Sequence, residues 1–332
     1  MVEMTNASEC HRDTVFVCGG DRFVVFDSSA ETAELSRSAT TRTEHVNARR
    51  VIEIPYQRSI QTQWHSEMNH SSDFWEALAP HHSAIENNYL DLPSLRRIIH
   101  DIHQPVLVVG AGQGLIVEEL QKKGLHAEGV DLSSEMIRYA KKRRGLTLVR
   151  ADARAMPFGE GAYETIIYAT GVVDFIGDDA QIQVILNEAR RIVTQSGRIF
   201  VAFYRISASV EDFLARLGLL RNNVLALKEM LGLYRMNPVQ TIAWAAKKAD
   251  AGYLHATGLL LRSWALSTTK EKLAALSMQR IFRNLEHADS LINAAPEGQP
   301  YRNEREIRNL FTRMATPIRK LEASASCYIV QI

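Results

Sequence analysis

Three glycines at every second position, Gly110, Gly112 and Gly114, follow an aliphatic run, Val106–Val109, and a carboxylate stands at the end of each of the next two strand-like segments, Asp131 and Asp152. An aliphatic run closing in glycines reads as a buried strand entering a tight turn, where the backbone can approach a bound ligand closely. A dinucleotide loop calls for G-x-G-x-x-G. Here the spacing is G-x-G-x-G and position 115 is leucine, so the third glycine comes one place early. Asp131 lies 17 residues past Gly114, where a carboxylate can accept hydrogen bonds from both hydroxyls of a ribose. Asp152 can accept from an exocyclic amine while nearby backbone meets the ring. Met136 and Met156 come just after the two acids, placed to sandwich a flat base; taken singly, each also reads as core packing.

The elements that must position these residues alternate. Val106–Val109, Ala127–Val130, Leu146–Arg150, Thr165–Ala169 and Arg198–Phe203 read as strands, the last entered through Gly197. Between them run helices at Leu115–Lys123, ended by Gly124, at a segment capped by Ser133 or Ser134, and at Ile182–Val193, where Ile182, Ile185, Leu186, Ala189 and Ile192 share a face. Such alternation implies an α/β doubly wound parallel sheet with helices on both faces. Upstream, Asp91 and Pro93 open a helix carrying Leu92, Leu95 and Ile98. From about 206 to 295 the alternation stops and the pattern is helical: Glu211–Leu219, one or two helices in Thr241–Leu261, and Glu271–Ile292 with Thr268 and Glu271 as a capping pair. The chain then returns to α/β through a helix around Glu304–Met314 and strands at Ile318–Ala323 and Tyr328–Ile332. Residues 1–60 read as a small β-rich appendage, with a hairpin from Thr14–Cys18 to Arg22–Phe26 around Gly19-Gly20-Asp21, a Ser/Thr-rich stretch near 28–43, and a short strand at Val51–Pro55.

VLVVGAGQG (106–114), GVDLSSEMI (129–137), RADARAMPF (150–158), YETIIYATGVVDFI (163–176) and EARRIVTQSGRIFVAFY (188–204) together resemble, in order, the class I S-adenosylmethionine-dependent methyltransferases. The resemblance is nearest to the small-molecule branch of ubiquinone and menaquinone biosynthesis. Residues 73–90 look like that family's lid helix, and 301–332 like its closing helix and antiparallel strand pair. The resemblance implies a Rossmann-like, doubly wound, seven-stranded methyltransferase sheet from 72–204 and 301–332, with a helical insertion, 205–300, after strand five. It implies S-adenosyl-L-methionine as cofactor, held by the backbone of Gly110, Ala111, Gly112 and Gly114 at the methionine end, by Asp131 and Leu132 at the ribose, by Asp152 and Ala153 at the adenine between Met136 and Met156, and by Thr170 near the transferring methyl.

A sulfonium methyl is already activated, so holding the nucleophile in line can supply roughly 7–11 kcal/mol of the barrier. A base is needed where the nucleophile must lose a proton, and His81, His82, Asp174 and Tyr204 are the candidates; each also reads as a loop residue or a core hydrogen-bonder. The histidines His65, His70, His81 and His82 match no familiar metal spacing, so no metal is expected. Lys141, Lys142, Arg143 and Arg144 read as the solvated end of a helix. Strand four is followed by Thr170-Gly171-Val172-Val173 and not by N/D-P-P-Y/F, which argues against methylation of nucleobase or glutamine amino groups, and no cysteine stands near the motifs to attack a pyrimidine. The insertion carries Leu214, Leu217, Leu231, Tyr234, Trp244, Tyr253, Leu259, Leu260 and Trp264, an apolar set suited to covering a small acceptor, to forming a homodimer contact, or to plain core packing. The expected acceptor is small, apolar or aromatic, and methylated at O, N or C. The alternatives are a methyltransferase acting on protein or tRNA, with the appendage as docking module, and a non-catalytic regulatory protein that binds the cofactor.

Net charge sets limits on partners. With 39 Lys+Arg against 38 Asp+Glu, no basic excess exists to track phosphates, and no nucleic-acid partner is expected. The apolar stretch at Leu254–Leu261 stops at Arg262, short of the ~20 residues of a membrane span. Cys10, Cys18 and Cys327 form no C-x-x-C pair, and the first ten residues lack a basic flank and an apolar stretch, so a cytoplasmic protein is expected.

Overall fold

The computed structural model describes strands at 14–19, 22–27 and 51–55, and residues 73–84, 92–176, 178–205, 207–221, 224–225, 227–267, 269–293, 295, 302–324 and 327–332. The chain divides into two compact units, Met1–Glu67 and Met68–Ile332. In the first, β1 (Thr14–Gly19), β2 (Arg22–Asp27) and β3 (Val51–Pro55) form an antiparallel sheet in the order β1-β2-β3, with Gly19 paired to Arg22. Gly20, Asp21 and the Ser/Thr-rich stretch lie outside the described residues.

The second unit opens with α1 (73–78), a 3-10 segment (Ala79–Ala84) and α2 (Leu92–Ile98). Then follow β4 (Val106–Val109), α3 (Leu115–Lys122), β5 (Ala127–Asp131), α4 (Ser134–Arg144), β6 (Val149–Arg150), β7 (Tyr163–Tyr168), α5 (Asp179–Ile192) and β8 (Val193–Tyr204). The helical block holds α6 (Ala208–Arg216), a hairpin of β9 (Leu220–Arg221) and β10 (Val224–Leu225), α7 (Leu227–Leu233), α8 (Pro238–Lys248), α9 (Tyr253–Leu266), α10 (Thr269–Asn284) and α11 (Ala288–Asn293). The chain closes with α12 (Glu304–Arg313), β11 (Lys320–Ala323) and β12 (Cys327–Gln331).

The main sheet has seven strands in the order β11-β12-β8-β7-β4-β5-β6, parallel from β8 to β6 and antiparallel at β12 and β11. From β4 the chain steps to β5 and β6 on one side, then returns to β7 on the other. The direction of winding therefore reverses at β4, and the crevice beyond its carboxyl end is where open sheets of this kind hold ligands. All four residues of β4 are buried, as a central parallel strand covered on both faces requires. One face packs under α5 and α12, with Ile182, Leu186, Ile307 and Phe311 against Val109, Val130 and Phe203. The other packs under α2, α3 and α4, with Leu95, Val117, Leu120 and Ala140 against Val106, Val108 and Phe200.

Several boundaries differ from the sequence expectation. Strand pairing at 146–150 is confined to Val149–Arg150, because this is the sheet's edge and β5 is the neighbour with which it pairs. β8 begins at Val193 and runs through Gly197 without turning. Its register against β7 shifts between Tyr163 and Thr165, and a Cβ at position 197 would lie 2.4 Å from Val193 Cγ2 and 2.9 Å from the Glu164 carbonyl. The glycine thus marks a bulge with close backbone approach. The expected helix at 271–292 is two helices, α10 and α11, and 241–261 also holds two. Glu271 Oε1 accepts from Ser207 N at 3.0 Å, at the start of α6, while Thr268 lies outside the described residues.

The helical block builds two small cores of its own. Leu214, Leu217, Ala245 and Ala256 join α6, α8 and α9. Leu231, Ile281, Phe282 and Leu291 join α7, α10 and α11 to Phe74 and Leu78 of α1. Leu254, Leu261 and Trp264 of α9 remain exposed. Among the described residues no helix is long and apolar enough to cross a membrane.

Candidate active site

The glycine loop follows β4 at the switch point. Gly110 and Gly112 have φ of 68° and 55°, in the left-handed region that side chains disfavour. A Cβ on Gly110 would lie 2.1 Å from Val172 Cγ2, so the loop after β7 rests directly on the glycine loop. Gln113 is buried, and its Nε2 donates to the Ala79 carbonyl at 2.6 Å. Arg144 Nε donates to the Gln113 carbonyl at 3.0 Å, and its guanidinium pairs with Glu118 at 3.1 Å. Arg144 is therefore a brace for the loop, which corrects its reading as part of a solvated helix end.

Asp131, at the carboxyl end of β5, accepts from Gly112 N at 2.7 Å through Oδ2 and from Ser133 N at 2.9 Å through Oδ1. Burial raises its pKa above the usual carboxylate value, and those N–H groups oppose the rise. Ser133 is the cap of α4: its Oγ accepts from Met136 N at 3.1 Å. Leu132, partly buried, has its carbonyl bonded by Arg150 Nε at 3.3 Å. Beyond β6, Asp152 is engaged by Arg154, whose Nη2 lies 2.6 Å from Oδ2 and whose Nε lies 3.0 Å from Oδ1; Ala153 between them is partly buried. Met136 is buried. Met156 packs into the core with Val109 and Val130, and its N–H donates to Glu188 Oε1 at 2.7 Å. Thr170 is buried just after β7.

The four candidate bases fall into two places. His81 and His82 sit on the 3-10 segment. His82 is buried over the glycine loop, its Cε1 3.4 Å from where a Gly112 Cβ would stand. Burial, then the positive charges of Arg143 and Arg144, push its pKa down to about 4, so the ring is neutral near pH 7. Asp174 and Tyr204 meet at the carboxyl ends of β7 and β8. Asp174 is fully buried; its Oδ2 accepts from Gly171 N at 2.9 Å and its Oδ1 from Tyr204 N at 3.3 Å. Burial pushes its pKa up to about 7 against those bonds and the charge of Arg302. The Tyr204 hydroxyl lies 3.1 Å from where a Gly171 Cβ would stand, and the rings of Tyr204, Phe175 and Trp75 follow one another edge to face, with centroids 6.0 and 5.5 Å apart.

Three contributors are absent from the sequence expectation: Gln113, Arg144 and Glu76. Glu76, on α1, bonds to the start of α4. Its partners are Ser133, Ser134 and Glu135, which lie 57 to 59 positions along the chain. Among the described residues no group of three His, Cys, Asp or Glu could hold a metal ion; His65 and His70 lie outside them.

Residues 106–197 match the family model for a methyltransferase domain. A demethylmenaquinone methyltransferase of Thermus thermophilus is 28% identical over 174 residues, covering 47% of this chain and 73% of that one. Among solved structures, a Pyrococcus horikoshii protein aligns at 22% identity over 39% of this chain, with a TM-score of 0.33. An S-adenosylmethionine-dependent methyltransferase of Archaeoglobus fulgidus aligns at 20% identity over 37%, also with a TM-score of 0.33. The chain spans 62% and 57% of the lengths of those two structures. With the family match beginning at β4 and running through the glycine loop, Asp131 and Asp152, on a seven-stranded sheet that reverses at that loop, residues 106–197 form a methyltransferase domain.

Proposed function

We propose that this chain transfers the methyl group of S-adenosylmethionine to a small, mostly apolar or aromatic organic acceptor. The observation that carries the reading is Asp131, a partly buried carboxylate at the strand end beside a left-handed glycine loop whose N–H it already holds. A carboxylate oxygen has a second lone pair, so Asp131 can keep Gly112 N and Ser133 N while accepting from ribose hydroxyls. Gly110, Ala111 and Gly112 let backbone approach the methionine portion. Asp152 and Ala153 would face the adenine, with Arg154 turning aside from Asp152 to admit the amine. When bound, the cofactor supplies an electrophilic methyl on a sulfonium.

The acceptor would lie beyond Thr170, against Phe175, Tyr204 and Trp75, under the helical block. An edge-to-face aromatic wall suits a flat or apolar molecule, and the similarity to a demethylmenaquinone methyltransferase supports a small acceptor. Asp174 is the candidate to receive a proton from an acidic acceptor, with Tyr204 at the same strand ends. His82, neutral and packed on Gly112, serves the loop's shape.

Calorimetry with S-adenosylmethionine and S-adenosylhomocysteine tests the cofactor assignment: wild-type protein binds and Asp131→Ala loses binding, whereas unchanged affinity in the variant sinks the ribose role. Methyl-labelled cofactor incubated with a metabolite extract, and separately with protein and tRNA fractions, tests the acceptor class. Label in organic-extractable small molecules is expected; label confined to protein or tRNA overturns it.

A further inference from the structure

Helix α1 spans only six residues, 73–78, a length that is unstable alone and is held by what it touches. It touches three different parts of the unit. Phe74 and Leu78 are buried with Leu231, Phe282 and Leu291 in the core of the helical block. Trp75 meets Phe175 edge to face at 5.5 Å, on the acceptor side. Glu76 reaches the start of α4: Oε1 accepts from Ser134 N at 2.8 Å and Ser134 Oγ at 2.9 Å, and Oε2 accepts from Glu135 N at 2.7 Å and Ser133 Oγ at 3.1 Å.

The first N–H groups of a helix have no partner within it, and the helix dipole favours negative charge there. In α4, Ser133 Oγ takes Met136 N, and Glu76 takes the N–H groups of Ser134 and Glu135. The helix is thus capped jointly by its own serine and by a carboxylate from a distant segment. The same Ser133 donates its N–H to Asp131. Glu76 is one residue removed from the carboxylate that would hold the ribose, and it sits on the helix that supplies Trp75.

We propose that Glu76 is a positioning residue: by capping α4 beside Asp131, it clamps α1 over the cofactor loop and so places Trp75 at the acceptor wall. This rests on reading the Asp131 site as the S-adenosylmethionine site. The clamp itself is an internal contact and does not depend on that reading. Charge fits the role, since the four donated hydrogen bonds outweigh burial and hold the Glu76 carboxyl below its usual range, keeping it ionised.

Hydrogen exchange of residues 73–84 in the full-length protein, without ligand, reads the clamp. S-adenosylhomocysteine dissociation, followed by stopped flow, reads its effect on the cofactor site. In Glu76→Ala both rates rise by about tenfold, the scale of one charge-assisted hydrogen bond. Glu76→Gln, which keeps one acceptor oxygen, gives a smaller rise in each. Ser134→Ala removes a donor without altering α1, and moves both in the same direction by a smaller factor. Exchange in β7 and β8 stays at wild-type levels, which separates the clamp from a general loss of folding. Exchange of 73–84 that is equal in all four proteins overturns the proposal, as does faster exchange with unchanged dissociation. Wild-type protein that binds neither S-adenosylmethionine nor S-adenosylhomocysteine overturns the methyl-donor reading instead. The ligand-free exchange tells the two failures apart.

Discussion

Asp174 and His82 carry opposite pH signatures. Folded, Asp174 titrates near 7 because it is buried; unfolded, its value returns to about 3.9. Between those values the folded protein holds a proton that the unfolded chain has lost, so stability falls as pH rises through the window. His82 is held down to about 4 and returns to about 6.5 when unfolded. There the unfolded chain holds the extra proton, and stability is lost as pH falls from about 6.5 towards 4. The windows overlap, so the two are separated by variants. In urea denaturation from pH 4.5 to 7, Asp174→Ala makes the slope of stability against pH more positive than in wild type, and His82→Gln makes it more negative. A profile unchanged in either variant refutes the assignment for that residue. Asp174→Ala also strips acceptors from Gly171 N and Tyr204 N, a loss of about 1–3 kcal/mol at each pH. At this scale the sequence spoke where a residue type was tied to a strand end. Gly110, Gly112, Asp131 and Asp152 were legible because glycine spacing and acid placement are local. Glu76 was not, since nothing in the run around it points to serines more than fifty positions away. Arg144 was masked by three cations before it.

Elements were legible in proportion to how completely their own pattern determines them. β4 is four aliphatics buried on both faces, and α5 buries the five apolar residues that share one face. β6 and β8 were misjudged at their ends, where pairing partners and not composition decide. Gly197 is the sharper case. A glycine after a helix suggests a turn, yet here it lets one strand bulge against β7. Gly197→Ala should therefore cost about 1–3 kcal/mol through overpacking on Val193 and the Glu164 carbonyl. Gly159→Ala, where nothing lies within 4 Å of the added carbon, should change denaturation midpoints little. Equal midpoints for the two variants would contradict the bulge. Asn303 and Glu306 form a complete capping box at the start of α12, a feature that the spacing N-x-x-E displays and the helix assignment passed over. Asn303→Ala should lower stability by about 1 kcal/mol in thermal or chemical denaturation.

Across the second unit, two cores flank the sheet and two smaller ones hold the helical block. Separate cores open separately. Phe282→Ala, at a fully buried position of the block, should cost about 3–5 kcal/mol and appear in hydrogen exchange as faster opening of α7, α10, α11 and α1. β4, β7 and β8 should keep wild-type protection; uniform loss would mean that the block and the sheet unfold as one. The alternation of strands and helices made the sheet readable, while the block was readable only as helical, because its packing depends on contacts among short helices joined by irregular turns.

Val172 resting on Gly110 has a bearing on substitution at the loop. At positions 110 and 112 the left-handed conformation disfavours every side chain, and at 110 a side chain would also run into Val172. Shortening position 172 removes the second obstacle and leaves the first. A smaller residue at 172 therefore cannot rescue a side chain at 110, and the two positions are not exchangeable partners.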